Sequence, residues 1–180
     1  NITAPGNEIM ERARVAVEAG AGGLVISPGL TGLDAMRRLA DDDSIALPIM
    51  SHPALMGSFT VNPNQGIAHG ALYGQINRLA GADACIFPSF GGRFSFTEDE
   101  CRDILDGTER DMGEIKSIFP VPAGGMSLDR VPELIRFYGT DIVLLIGGDL
   151  HRHGPDLAQN CRAFVRSLSP TISDSPVDAQ

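Results

Sequence analysis

From its first residues to about residue 168 the chain repeats one unit: a short apolar run, a loop bearing Gly, Ser or His, an amphipathic stretch, and a Gly-bounded turn into the next run. This alternation restricts the fold more than any other feature. The apolar runs predict strands over Ile2–Ala4, Gly23–Ser27, Ala46–Ser51, Ala84–Pro88, Phe119–Ala123 and Asp141–Ile146. They are nearly continuous in hydrophobicity rather than alternating, the pattern of parallel strands covered by helices. Between them, Glu8–Ala19 places Ile9, Ala13, Ala16 and Val17 on one helical face before Gly20. Thr97-Glu98-Asp99-Glu100 reads as a capping box, and Ser127 precedes a helix over Val131–Tyr138 that stops at Gly139. Strand and helix in strict alternation imply an α/β protein with a parallel sheet, either a barrel or an open doubly wound sheet.

The loops separate these two. A dinucleotide-binding sheet carries its glycine fingerprint after the first strand, and Ala4-Pro5-Gly6-Asn7 has no such pattern. The glycine pairs follow the last two strands instead, in Ala123-Gly124-Gly125-Met126-Ser127 and Ile146-Gly147-Gly148-Asp149. In (β/α)8 barrels of the TIM type the loops after strands seven and eight commonly cradle a phosphate on main-chain N–H groups. A complete barrel has eight units and about 250 residues, whereas six strands are counted in 180 residues here. The reading is therefore a partial TIM barrel carrying strands three to eight of a longer protein's C-terminal domain, over residues 1–168, with an intact six-stranded open sheet as the alternative. Residues 169–180, rich in Ser, Pro and Asp, read as a mobile polar tail.

Charge narrows the partners. A net charge of −9 and a pI near 4.8 leave no clustered basic face for nucleic acid or an anionic membrane surface. No apolar run approaches the roughly 18 residues of a membrane span. Cys85, Cys101 and Cys161 are odd in number and widely spaced, without a metal pattern, which fits a reducing, cytoplasmic setting. Lys116 is the sole lysine, and it precedes a strand, on the barrel face opposite catalysis, so Schiff-base chemistry is disfavoured.

Several residues could carry chemistry. The Gly124-Gly125 and Gly147-Gly148 pairs allow an anion to approach bare main chain, with Ser127 as a helix cap beside them; Asp149 would repel that anion unless it points outward or caps a helix. His52 follows Ser51 at a strand's C-terminal end, where it could shuttle a proton, polarise a substrate oxygen, or simply bond a neighbouring loop. Arg93, in Phe90-Gly91-Gly92-Arg93-Phe94, sits on a glycine-hinged loop suited to a lid over an anionic substrate, and also to a plain solvated loop. His69 reads as a structural residue at a helix start. His151 and His153 lack a convergent carboxylate, and Asp41-Asp42-Asp43 reads as a solvated helix end, so no metal site is expected within this chain.

Leu47-Pro48-Ile49-Met50-Ser51-His52-Pro53-Ala54, Arg78-Leu79-Ala80-Gly81-Ala82-Asp83, Pro122-Ala123-Gly124-Gly125, and Gly147-Gly148 with His153-Gly154 resemble, in order and spacing, the catalytic barrel of the RuBisCO large-chain family. The resemblance is to its RuBisCO-like (form IV) branch. His52 matches a retained active-site histidine, whereas Pro53 stands where a phosphate-binding arginine is expected and Met56 and Ile86 where further histidines are. Arg93 occupies the place of the loop lysine that stabilises a carboxylated intermediate, and Ala123 that of a substrate-binding serine.

The resemblance implies His52 and Arg93 as catalytic residues and Ala123, Gly124, Gly125, Gly147 and Gly148 as the substrate-phosphate grip. It implies Mg²⁺-dependent formation of an enediolate next to a ketone, and not CO₂ fixation. The reaction expected is decarboxylation of a singly phosphorylated keto-sugar acid, by a lyase. The alternatives are the enolase or isomerase chemistry of a methylthio-ketose 1-phosphate in methionine salvage, or a catalytically silent fragment. The family holds its metal on a carbamylated lysine and two acids at the end of the second barrel strand, so the Mg²⁺ ligands are expected upstream of this chain. Family members pair as homodimers in which the partner's N-terminal domain completes each pocket, so the segment alone is expected to be inactive.

Overall fold

The structure, a computed structural model, describes residues 1–173 apart from 63 and 95. Helix α1 (Ile9–Glu18) leads into strand β1 (Leu24–Ile26), the short α2 (Pro28–Thr31), α3 (Leu33–Ala40) and β2 (Ile49–Ser51). A 3-10 turn (Met56–Phe59) and a π-helix (Gly70–Ile76) that continues as α4 (Asn77–Leu79) bring the chain to β3 (Ala84–Pro88) and α5 (Glu98–Glu109). Then come β4 (Phe119–Ala123), a 3-10 turn (Leu128–Arg130), α6 (Val131–Tyr138), a 3-10 segment (Gly148–His153) and α7 (Leu157–Ser173).

The four strands form one parallel sheet in the order β1-β2-β3-β4, with Ile86 opposite Val121 and Val25 opposite Met50. Sequential order with a helical crossover between neighbours is the arrangement of a β/α barrel arc; a doubly wound sheet would reverse at a switch point. The two sheet faces divide the core. Cys85 and Phe87 pack with Leu72, Tyr73, Cys101, Ile104, Leu134 and Tyr138 from the helices. Ala84, Ile86, Val121 and Ala123 form a separate cluster on the opposite face, with Met50 against it. A third cluster joins β1 and β2 to α1 and α3 through Ile9, Ala13, Leu24, Ile26, Met36, Leu39 and Ile49.

Two of the expected strands do not form. Ile2–Ala4 and Asp141–Ile146 run beside β1 and β4, but each is held by few bonds: the Ile2 N–H donates to the Val25 carbonyl at 2.9 Å, and the Val143 N–H to the Pro120 carbonyl at 3.1 Å. The reason at β4 is its sequence, Phe-Pro-Val-Pro-Ala. Phe119 N–H points toward Asp83 on the β3 side, so Pro120 and Pro122 occupy the positions that would donate to 141–146, and proline has no N–H to give. At the other edge the Thr3 hydroxyl takes the Ser27 N–H at 3.0 Å, replacing a main-chain acceptor. The strand expected from Ala46 begins only at Ile49, with Ala46 itself at φ +42°.

Helix ends follow the sequence more closely. The capping box is present: Glu100 N–H donates to Thr97 Oγ1 at 3.2 Å and Thr97 N–H to Glu100 Oε2 at 2.7 Å. Asp41 closes α3 and pairs with Arg37. Ser127 makes no side-chain cap, contrary to expectation; that role falls to Asp149, described below. Helix α7 runs to Ser173, so the first part of the expected polar coil is helical, and residues 174–180 lie outside the described residues.

Arg78 fixes the end of the sheet away from the loops that follow the strands. Its buried guanidinium donates to four carbonyls, those of Lys116 (3.0 Å), Gly107 (3.2 Å), Arg110 (2.6 Å) and Ile115 (2.8 Å). A cation thereby satisfies the last carbonyls of α5 and the turn after it, where the helix dipole is negative. The π-helix lies against α5 at Gly70, Gly74 and Gly107, where an added Cβ would come within 2.4 Å of the opposing backbone. Only glycine permits that approach.

Candidate functional site

A cleft of about 810 Å³ opens at the C-terminal ends of the strands, over the face carrying Ile86 and Ala123. His52, Pro88, Ala123 and Gly124 at or just after the strand ends line it, with Leu145 of the segment beside β4 and with Tyr73, His69, Phe94, Phe96 and Glu100. The wall is largely aromatic and aliphatic with a few polar groups, the usual make-up of a small-molecule pocket.

His52 is placed by the ladder. Its N–H donates to the Ile26 carbonyl at 2.8 Å, extending the β1–β2 pairing by one step beyond Ser51. Its ring Nδ1 accepts the Ala54 N–H at 3.2 Å. A ring nitrogen that accepts carries no proton, so the neutral imidazole has its hydrogen on Nε2. The atom left free to a ligand is a donor.

Ala123 ends β4, and its carbonyl accepts the Ser89 N–H at 2.9 Å. Gly124 and Gly125 follow at φ +88° and +83°, left-handed backbone that favours glycine. Their lack of side chains admits the 89–94 loop: a Cβ on Gly124 would lie 2.7 Å from the Phe94 ring, and one on Gly125 would lie 2.6 Å from Arg93 N. The Arg93 N–H donates to the Gly124 carbonyl at 2.7 Å. The Arg93 side chain is exposed, its guanidinium 5.9 Å from the Phe94 ring centre, and Phe94, not Arg93, lines the cleft.

Arg130 ties the same loop from below. Its Nη1 donates to the Phe90 carbonyl at 3.2 Å, its guanidinium lies 5.3 Å from the Phe90 ring centre, and Glu133 holds it at 2.9 Å. That hydrogen bond keeps the Glu133 carboxyl below its ordinary range.

The second glycine pair stands beside the first. Space around Gly147 and Gly148 is open, with nothing within 4 Å of an added Cβ. The contact joining the two loops is made by Asp149, whose Oδ2 accepts the Leu128 N–H at 2.9 Å and lies 3.2 Å from His153 Nε2. The Leu128 bond, followed by His153, holds the Asp149 carboxyl below its ordinary range. Asp149 therefore caps the turn after the first glycine pair. The main-chain N–H that opens this turn is taken by a carboxylate of the chain itself.

Of the residues expected to form the site, His52, Ala123 and Gly124 share the cleft, while Arg93 and Gly125 stand directly behind Gly124. Gly147 and Gly148 follow a segment bonded to β4 through Val143 and are tied to the first glycine loop through Asp149, but they do not line the cleft. Among the described residues, no group of three or more His, Cys, Asp or Glu converges to hold a metal ion. The described side chains by themselves supply no ligand set for Mg²⁺.

Sequence alone gives His69 as a structural residue at a helix start and Glu100 as part of a capping box, and does not show that the two meet at the cleft. His69 starts the π-helix, packs edge-on against Phe96 at 4.8 Å, and lies nearly parallel to Tyr73 at 6.2 Å. Its Nε2 is 3.6 Å from Glu100 Oε1, while the other carboxylate oxygen holds the Thr97 cap. Burial pushes the Tyr73 hydroxyl up to about 12. A usable signal was present in the capping box, which fixes Glu100 at the third position of α5. Its partner lies in the preceding unit of the chain, which local spacing does not show.

Comparison with known proteins agrees with the fold. Ribulose bisphosphate carboxylase-like protein 1 of Rhodopseudomonas palustris is 40% identical over 146 residues, covering 81% of this chain and 38% of that protein. A 2,3-diketo-5-methylthiopentyl-1-phosphate enolase of Bacillus licheniformis is 36% identical over 99% of this chain and 44% of its own length. The chain thus spans less than half the length of either relative. Among solved structures, a rubisco-like protein (MtnW) from Alicyclobacillus acidocaldarius superposes with a TM-score of 0.85 at 34% identity, covering 98% of this chain and 46% of that one. Residues 1–177 match the family of the ribulose bisphosphate carboxylase large chain, catalytic domain, and the chain belongs to that family.

Proposed function

We propose that this chain supplies the substrate cleft of a RuBisCO-like enzyme that forms an enediolate from a singly phosphorylated keto-sugar or keto-sugar acid. The observation that carries this reading is the meeting of His52, Ala123 and Gly124 in one cleft at the strand ends, with the Arg93 loop packed over Gly124–Gly125. The Nε2–H of His52 donates a hydrogen bond to the substrate's carbonyl oxygen, where negative charge grows as the neighbouring carbon loses a proton or a carboxylate. Phe94, Phe96 and Tyr73 exclude water from that oxygen. Arg93, on the loop behind Gly124, and the open main chain at Gly147–Gly148 serve the phosphate, which lies toward the rim. Its approach requires Asp149 to turn toward His153 and release Leu128.

Decarboxylation of a phosphorylated 3-oxo acid is the first reaction proposed. Enolisation of a methylthio-ketose phosphate is the second, favoured by the relatives named as enolases of such a compound. Mg²⁺ is the cofactor proposed from the family; bound to an enolate it would neutralise the developing oxyanion, and its ligands would have to come from outside the described residues. A homodimer is the assembly proposed for the whole protein, in a family where the Pyrococcus horikoshii enzyme is octameric. No described helix is long and apolar enough to cross a membrane. The experiment offers the full protein a phosphorylated 3-oxo acid and 2,3-diketo-5-methylthiopentyl 1-phosphate in D₂O. CO₂ release from the first supports the decarboxylase, deuterium uptake into the second without CO₂ supports the enolase, and neither event refutes the function proposed.

A further inference from the structure

The cleft holds two imidazoles, and their surroundings leave opposite atoms free. In His52 the lone pair on Nδ1 is occupied by the Ala54 N–H, so the free atom is the Nε2–H donor. In His69 the Nε2 side faces the Glu100 carboxylate at 3.6 Å, which favours the hydrogen on Nε2 and leaves the Nδ1 lone pair unclaimed. We propose that His69, oriented by Glu100, is the base of the cleft, and that His52 is its acid partner.

The inference rests on the enolate-forming reading above and assigns a residue role within it. A neutral imidazole whose far nitrogen faces a carboxylate, here at 3.6 Å, is placed to be stabilised as an imidazolium once a proton arrives. His69 takes the proton from the carbon next to the ketone, and the C–H electron pair becomes the new C=C bond. The carbonyl π pair moves to oxygen, which accepts the hydrogen bond of His52. The imidazolium of His69 then returns its proton to the intermediate and is neutral again, so atoms and charge balance without a further reactant. Glu100 is a positioning residue, because it acts through His69.

The local structure supports a fixed base. The ring is held between Phe96 and Tyr73, and its side chain is 13% exposed, against 35% for Glu100. The π-helix that begins at Gly70 places His69 and Tyr73 on the cleft together, and such wide turns recur at functional sites. Both members of the pair also border a second, polar cavity of about 610 Å³ lined by Thr60, Asn62, Asn64 and Gln65. The carboxylate thus stands between the apolar cleft and a polar outlet through which a proton can exchange with water. The groups facing His69 are Glu100 and Asp103 on α5, the latter bonded to the Gly70 N–H at 2.7 Å, Tyr73 on the π-helix, and His52 across the cleft.

Glu100→Gln tests the pair without disturbing the fold, since Gln serves equally in a capping box. Ring ¹⁵N spectra of the full protein, taken where the ring is neutral, should show His69 protonated on Nε2, with the share of the Nδ1–H tautomer rising in the variant. A neutral ring protonated on Nδ1 in the unsubstituted protein, or a tautomer balance that Glu100→Gln leaves unchanged, overturns the pairing. On the two probes named above, His69→Gln should slow proton removal next to the ketone, or protonation of the enolate left by CO₂ loss, by about 10²- to 10⁴-fold with KM nearly constant. Glu100→Gln should lower kcat in the same direction and by less, again with KM nearly constant, because it acts through His69. If the unsubstituted protein acts on neither probe, the enolate reading itself fails. If it does act and His69→Gln is as fast, this inference alone is overturned.

Discussion

Replacing Arg130 with Met should release the 89–94 loop while leaving the sheet beneath it intact. The guanidinium holds that loop in two ways: a hydrogen bond to the Phe90 carbonyl at 3.2 Å and a stacking contact 5.3 Å from the Phe90 ring centre. A hydrogen bond from a charged donor contributes about 1.5–3 kcal/mol and a partly exposed cation–π contact about 0.5–1 kcal/mol. The Glu133 pair adds little to the loop itself, because it is made within the start of α6. With partial solvent screening, closure loses about 2–3 kcal/mol, equivalent to an increase of about 30- to 150-fold in the population of open loop. The reporter is amide hydrogen exchange at Arg93, whose N–H is bonded to the Gly124 carbonyl, with the Val121 and Phe87 amides as internal controls. Glu133→Gln should raise exchange at Arg93 by less than about fivefold, since it removes one exposed pair. If Arg130→Met raises that exchange by less than about threefold, or if the control strands open equally, Arg130 is no tether and the loop is held by Gly124 alone.

Arg78→Met should destabilise the fold by about 3–5 kcal/mol, because removing the one cation strands four carbonyl acceptors at the end of α5; urea unfolding showing less than about 1 kcal/mol would contradict this. Asp149 has a carboxyl pKa lowered in the folded state, so its contribution is fully present above the ordinary carboxylate value near pH 4 and is lost as pH falls through the lowered value. Asp149→Asn should flatten that acid limb of the stability curve and tighten binding of orthophosphate at neutral pH, as followed by calorimetry; unaltered phosphate affinity would show that the carboxylate does not guard the turn. His52→Ala should reduce turnover on the active probe by about 10²- to 10⁴-fold with little change in melting temperature, whereas a stability loss with turnover preserved would make it a structural residue.

The alternation of apolar runs and helical stretches was enough to read a parallel α/β fold, because that pattern is the burial pattern of strands covered on both sides. β3 and β4 match the predicted ranges from end to end; Cys85 and Phe87 of β3 pack against the helices, and Ala84, Ile86, Val121 and Ala123 form an apolar cluster on the opposite face. The edge segments were not legible by the same rule. Hydrophobicity reports burial and says nothing about whether a neighbour can donate hydrogen bonds, so Asp141–Ile146 reads as a strand although Pro120 and Pro122 withhold the donors it would need. A similar limit applies at the site. His52 and Ala123–Gly124 were found because they end strands, and the direction of a strand end is fixed by the chain itself. His69 and Glu100 face one another across two units, a relation set by how the π-helix lies on α5, which in turn depends on bare backbone at Gly70, Gly74 and Gly107. Those glycines are ordinary residues in the sequence until the crossing is known. The glycine pair at 124–125 carries the converse lesson: its absence of side chains is explained first by Phe94 and Arg93 packing against it. On the function proposed, a phosphate bound there would have the 89–94 loop as well as the turn for its walls, and loop closure and anion binding would be one equilibrium.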